Sequence, residues 1–173
     1  MTRTILNFFL LIVTLVLAQA VIFNNLILFN CAVAFVFIFP IIVMPMTLST
    51  NKAVTIAFLI GMSVDILSNT QGMNALACTI LGFVRRPIFH LYVSNDEDLT
   101  GMRVSSRNMD MAAFLKYMGT MTLIYSILIY IIDAFSFFDI GRLAARIVCS
   151  WIFTFIILYA FDSFSIKRRE KKL

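Results

Sequence analysis

Long apolar runs broken by short polar punctuation set the pattern of this chain. Six such runs can be marked, at 5–23, 26–48, 53–67, 73–93, 112–133 and 143–164. Most approach the ~20 apolar residues that an α-helix needs to cross the hydrocarbon of a bilayer. The joins carry turn chemistry: Asn24-Asn25, then Ser49-Thr50-Asn51-Lys52, then Ser68–Gly72, and Asp133–Arg142. Only 94–110 makes a substantial polar loop, and 165–173 forms a basic tail. The pattern predicts an all-α integral membrane protein, a bundle of about six transmembrane helices in one polytopic domain over 1–173.

Composition strengthens that expectation. The 173 residues are 61% hydrophobic and include 18 Phe, above the roughly half apolar content of soluble domains. Charge then gives orientation. All of the 14 lysines and arginines except Arg142 and Arg146 collect on one side of a six-span arrangement, and basic residues flanking spans stay cytoplasmic. Both termini and loop 94–110 are therefore expected in the cytoplasm, with the protein in a cytoplasmic (inner) membrane. The first run lacks a small-x-small cleavage site and is followed by further spans, so it reads as an uncleaved helix rather than a secretion signal.

Two runs are awkward. Residues 53–67 would make a rod of only ~22 Å at the α-helical rise. The apolar part of the fourth run ends at Arg85-Arg86, which mark the expected cytoplasmic boundary, with 87–93 along the inner interface or tilted back. The turn at 68–72 would then be sunken, where irregular backbone requires protein or water around it. A re-entrant hairpin is the competing picture and leaves the termini on the same side. In the second run, Pro40 and Pro45 are each expected to kink the helix by removing a backbone donor.

The sunken turn also carries the chain's most unusual side chain. Asp65 is the sole acidic residue in the first 95 positions, and an ionisable group at membrane depth is a functional-site hypothesis by default. Arg142 and Arg146 are the basic residues on its side. Arg146 is the expected ion-pair partner, with Asp133 as a rival for the arginine. Such a pair either orients helices or carries a function. Ser68, Asn69 and Thr70 suit the N-cap of the fourth helix, and Gly72 gives the turn backbone freedom. Ala57 and Gly61, like Cys78 and Gly82, are small residues four apart that permit close helix approach. The first pair is the candidate face for a partner helix.

Other residues read as structural. Cys31, Cys78 and Cys149 lie inside apolar runs without metal or disulfide spacing, and His90 is the lone histidine. Asp162 has Lys116 and Lys167 within reach of its end of the sixth helix. The tail Lys167–Lys172 suits an inside anchor on anionic lipid; a nucleic-acid role is not expected. The mixed charges of loop 94–110 suggest a solvated segment. No nucleophile–base pair, phosphate loop or paired carboxylates stand out, so the expectation is a protein that is not an enzyme and uses no cofactor or metal.

The block from Pro45 to Arg85 resembles the bacterial rod-shape-determining protein family MreD. A proline ends one span, a short polar link follows, and then comes Gly-x-x-x-Asp-[Ile/Leu]-x-Ser-x-[Thr/Ser]-x-Gly before an apolar helix. Here these are Pro45, Ser49–Lys52, Gly61, Asp65, Ile66, Ser68, Thr70 and Gly72. The resemblance implies a non-enzymatic subunit that partners MreC, a single-span protein. It would work in the elongation complex of MreB, a RodA-type polymerase and a transpeptidase that inserts lateral-wall peptidoglycan. It also implies a helical body similar to the substrate-binding subunits of energy-coupling-factor transporters. The longer loop 94–110 and the strongly basic tail depart from the family pattern.

Two functions follow as expectations. The first is this scaffold role in maintaining cell shape. The alternative is a small-solute-binding membrane subunit of a transporter, suggested by the sunken turn and the prolines. Few polar side chains lie within the runs, which favours the scaffold; a membrane-embedded enzyme ranks last.

Overall fold

In a computed structural model, the chain folds as an all-α protein. The structure describes residues 2–23, 33–93, 110–133 and 140–170, with side chains omitted in 2–5, 7, 140 and 164–170. Loop 94–110 (apart from Asp110), Cys31 and the side chains of the basic tail lie outside the described residues. Among the described residues, six α-helices follow in order: α1 (Thr2–Ala18), α2 (Phe39–Val43), α3 (Thr50–Ser68), α4 (Met73–Tyr92), α5 (Met111–Asp133) and α6 (Ile140–Glu170). Three stretches among the described residues, Thr50–Ser68, Met111–Asp133 and Gly141–Ser163 within α6, are long and apolar enough to cross a membrane; Phe8–Phe23 is a shorter apolar one. Large apolar side chains stand exposed along α1, α3 and α6, among them Phe9, Leu59 and Ile156. Such apolar surface suits a lipid environment better than water.

α3 and α4 form an antiparallel hairpin whose seam is made of small residues. A Cβ on Gly82 would come within 2.9 Å of the Ala57 Cβ and 3.2 Å of the Val54 Cα. At the other end of the seam, a Cβ on Gly61 would lie 2.5 Å from the Asn74 carbonyl oxygen and 2.7 Å from the Ala75 Cα. Ala57 and Gly61 are both buried. This corrects the expectation that they present a face to a partner helix: their small size is already used within the chain, against α4.

The second run is where the structure departs furthest from expectation. Its described part is not one kinked helix. Residues 33–35 are irregular, Val36–Ile38 form a single 3₁₀ turn, α2 runs for five residues, and the chain is extended again at Met44. Pro40 stands in the first turn of α2, where its missing N–H costs nothing, and Pro45 follows the helix end. Neither kinks a continuous helix. The irregular segment is nonetheless deeply buried, from Ala34 to Met44.

Burying non-helical backbone leaves its polar groups in need of partners. Side chains from four helical elements provide them. In the single π-helical turn Gln19–Phe23 that continues α1, the Gln19 amide donates to the Ala34 carbonyl at 2.9 Å and its Oε1 accepts from the Val36 N–H at 2.9 Å. From α6, Ser150 Oγ accepts from Val33 N–H and Thr154 Oγ1 from Phe35 N–H, each at 3.1 Å. From α5, the Tyr117 hydroxyl donates to the Ile42 carbonyl at 3.4 Å. From α4, Arg85 donates to the carbonyls of Met44 and Pro45, and Arg86 to that of Met46 at 3.0 Å. Phe35 and Phe37 add edge-to-face contacts with Tyr125, at centroid distances of 5.1 and 5.7 Å.

These contacts also revise the reading of Arg85-Arg86. α4 runs on through Pro87 to Tyr92. Arg85 is only 1% exposed, so its side chain is used within the packed interior.

Candidate functional site: a polar knot at the α3–α4 turn

The turn between α3 and α4 reverses the chain in a few residues, and both of its left-handed positions are filled by residues suited to them. Asn69 ends α3 at φ 54°, and Gly72 precedes α4 at φ 78°. Asn is among the few non-glycine residues that enter this region readily. The residue that precedes α4, Gly72, has no side chain with which to cap it. The α4 amides of Asn74 and Ala75 bond the Asp65 carboxylate, and not the expected cap residues Ser68, Asn69 and Thr70.

Asp65 caps α4 instead, from the last turn of α3. Its Oδ2 accepts from the Ala75 N–H at 2.7 Å, and its Oδ1 from the Asn74 N–H at 3.2 Å. These are the second and third residues of α4, whose amides have no partner inside the helix. Oδ1 also accepts from the Thr70 hydroxyl and from the Asn74 side-chain amide at 2.9 Å. Asn74 in turn donates to Thr70 Oγ1 at 3.2 Å, and its Oδ1 accepts from the Tyr125 hydroxyl at 2.7 Å. The network therefore ties α3, the turn, α4 and α5 together.

This arrangement explains why Asp65, 5% exposed, does without the expected arginine. Four hydrogen-bond donors and the positive end of a helix dipole stabilise the carboxylate. Arg146 stands exposed on α6, and the Asp65–Arg146 ion pair is not formed. Asp133, its proposed rival, is exposed at the end of α5.

Gly61 and Gly72 serve the same knot for different physical reasons. Gly61 lies one turn before Asp65, and its missing side chain lets the α4 backbone come close enough for the carboxylate to reach two amides. A Cβ on Gly72 would meet nothing within 4 Å, so only its positive φ favours glycine. Gly61→Ala is expected to destabilise by about 1–3 kcal/mol, because backbone must move, whereas Gly72→Ala should cost about 1 kcal/mol in strain alone. Thermal unfolding of the two variants in the same detergent checks the order, and equal effects would contradict it. Tyr125→Phe leaves the Asn74 Oδ1 without its partner and should cost about 1 kcal/mol in the same assay.

Sequence reasoning brought Gly61, Asp65, Thr70 and Gly72 to one place but missed Asn74 and Tyr125. Asn74 had a signal: it is a lone amide at the start of an otherwise apolar run. A tyrosine hydroxyl inside a span, as at Tyr125, gives a weaker one. Cys78 is buried and Cys149 exposed, both as free thiols; His90 is exposed at the end of α4, and Asp162 is buried in α6. Among the described residues, no group of His, Cys, Asp and Glu could hold a metal ion. No family model matches this chain, and neither the curated proteins nor the solved structures include a significant match to it.

Proposed function

We propose that this chain is a non-enzymatic, MreD-like membrane subunit of the bacterial cell-elongation machinery, with about six spans and both termini in the cytoplasm. In this role it maintains rod shape by binding a single-span MreC-type partner, and through it the MreB, RodA-type polymerase and transpeptidase assembly. One observation carries the reading. Four of the residues that bear the family resemblance act as one physical unit, with Gly61 admitting α4, Asp65 capping it and Thr70 joining the carboxylate. Gly72 supplies the left-handed residue before it.

The knot suits a scaffold because its groups bind one another and hold helices in register. Similarity of the helical body to energy-coupling-factor substrate-binding subunits is part of the same proposal. For the partner helix, the proposal replaces the buried Ala57–Gly61 face with the open apolar groove of about 500 Å³ between α1 and α3, flanked by Phe9, Leu59 and Leu67. In-membrane cross-linking from a photoreactive residue at Leu59, followed by mass spectrometry, tests this. Recovery of a single-span periplasmic protein, with cell-wall synthases in the same complex, is the expected result. Recovery of an ATPase pair and a coupling subunit would replace the reading with the solute-transport alternative.

A further inference from the structure

A second cleft lies between α5 and α6, away from the knot. It is open-sided, holds about 450 Å³, and is lined by one face of α5 from Leu115 to Leu123, by Trp151, Ile152 and Phe155 of α6, and by Tyr92 at the end of α4. That volume falls within the range of ligand sites. The cleft is polar at one end and apolar at the other. Lys116 and Leu123 lie two helical turns apart on α5, roughly 10 Å along its axis. Tyr92 and Thr120 join Lys116 at the polar end, while Ile152 and Phe155 wall the cleft from α6.

Two features give the cleft a built floor. Trp151 is anchored by its indole N–H, which donates to the Gly119 carbonyl at 2.9 Å. Gly119 leaves the space beside it open: a Cβ there would touch only the Phe155 ring, at 3.5 Å and beyond. The hydroxyls at the polar end are already engaged. Thr120 Oγ1 donates to the Lys116 carbonyl at 2.8 Å and pairs with the Tyr92 hydroxyl at 2.9 Å. The Lys116 ammonium is different, being exposed and without a hydrogen-bond or ion-pair partner among the described residues. The unused donor at the head of an apolar cleft is therefore a cation with three N–H groups.

From this charge complementarity we infer that the α5–α6 cleft is a binding site for an anionic phospholipid. The headgroup phosphate sits on Lys116, and one acyl chain lies along Gly119 and Leu123 against Trp151 and Phe155. The inference requires only that the chain is embedded in a membrane and is independent of the elongation-complex reading. A zwitterionic lipid such as phosphatidylcholine also carries a phosphate, but its choline cation offsets that charge and is repelled by the ammonium, so the site should favour a headgroup of net negative charge.

The full-length protein, delipidated and placed in nanodiscs of phosphatidylcholine with graded phosphatidylglycerol, tests this by native mass spectrometry of bound lipid and by thermal unfolding. Wild type should retain phosphatidylglycerol over phosphatidylcholine. Lys116→Gln should reduce that preference about five- to tenfold, the loss of one cation–headgroup attraction, and Lys116→Arg should keep it. Gly119→Leu, which fills the cleft, should lower retention of both lipids. Inorganic phosphate added without lipid should not reproduce the stabilisation. An unchanged preference in Lys116→Gln, with the preference lost instead in Lys171→Gln/Lys172→Gln, would place lipid selection in the basic tail and overturn the inference. Equal stabilisation by free phosphate would overturn it too, since no acyl chain would then be needed.

Discussion

Asp65→Ala should be among the most damaging single substitutions in this protein, lowering stability by about 3–5 kcal/mol. The variant orphans the buried amides of Asn74 and Ala75, each at roughly 1–3 kcal/mol, and removes the N-cap of α4, at about 1 kcal/mol. The Thr70 hydroxyl and the Asn74 side chain lose the same acceptor. Asp65→Asn is the sharper test, because it preserves size and removes only charge and one acceptor. Its amide nitrogen would have to face either the Ala75 N–H or the donors gathered at Oδ1, so a donor meets a donor in both orientations. The Asp65→Asn variant should therefore unfold well below wild type in detergent. Arg146→Ala, by contrast, should leave the midpoint unchanged, since Arg146 takes no part in the knot. An Asp65→Asn protein as stable as wild type, or an Arg146→Ala protein as weak as Asp65→Ala, would refute the cap and restore the ion pair.

The contrast between these two variants marks what the sequence could and could not reveal. An isolated acid in an apolar chain signals that something offsets its cost, and the spacing of Gly61, Asp65, Thr70 and Gly72 announces a tight local construction. Which group does the offsetting is a different question. Sequence reasoning looks first for a counter-charge, because charges are easy to see in a string of letters. Backbone N–H groups at a helix start are invisible there, yet they were available ten residues away. The small-residue spacing misled for a related reason: Ala57 and Gly61 do mark close helix approach, but spacing alone does not say which helix approaches.

The second run was the least legible part. An apolar stretch from 26 to 48 has the composition of a spanning helix, and hydropathy cannot distinguish that helix from an irregular segment sealed inside a bundle. The distinguishing evidence was spread across the chain, in single polar residues on other helices. Gln19 is one of two amides in the first run, the other being Asn7 near its start, while Ser150 and Thr154 are hydroxyls four apart and so on one face of the last. Each looks incidental alone. Together they form the set of donors and acceptors that an unwound neighbour requires, and only the three-dimensional arrangement shows them meeting Val33, Ala34, Phe35 and Val36.

The same logic identifies the second substitution with a large expected effect, at Arg85. Its guanidinium closes the far end of the irregular segment by donating to the carbonyls of Met44 and Pro45 just beyond α2, and it contacts Met46 Sδ at 3.2 Å. Arg85→Met retains much of the apolar stem and removes every donor. The buried Met44 carbonyl is then left unpaired, at roughly 1–3 kcal/mol, and the Pro45 carbonyl keeps only the Leu48 N–H at 3.4 Å, against some relief from no longer burying a cation. The net loss is expected at about 1–3 kcal/mol. Arg85→Lys should fall between the variant and wild type, because a single ammonium lacks the planar fork that reaches adjacent carbonyls. Arg86→Met should cost less than about 1 kcal/mol, since Arg86 is half-buried and makes one contact, to the Met46 carbonyl. Hydrogen exchange locates the effect as well as sizing it. In Arg85→Met, amides of residues 39–46 should exchange faster while the central turns of α3, held by the Gly61 and Gly82 seam, stay protected. Acceleration spread evenly over both segments would mean that Arg85 supports the whole bundle and not the unwound segment in particular. Unchanged exchange at 39–46 would mean that burial alone holds that segment closed, and that the carbonyls need no donor from α4.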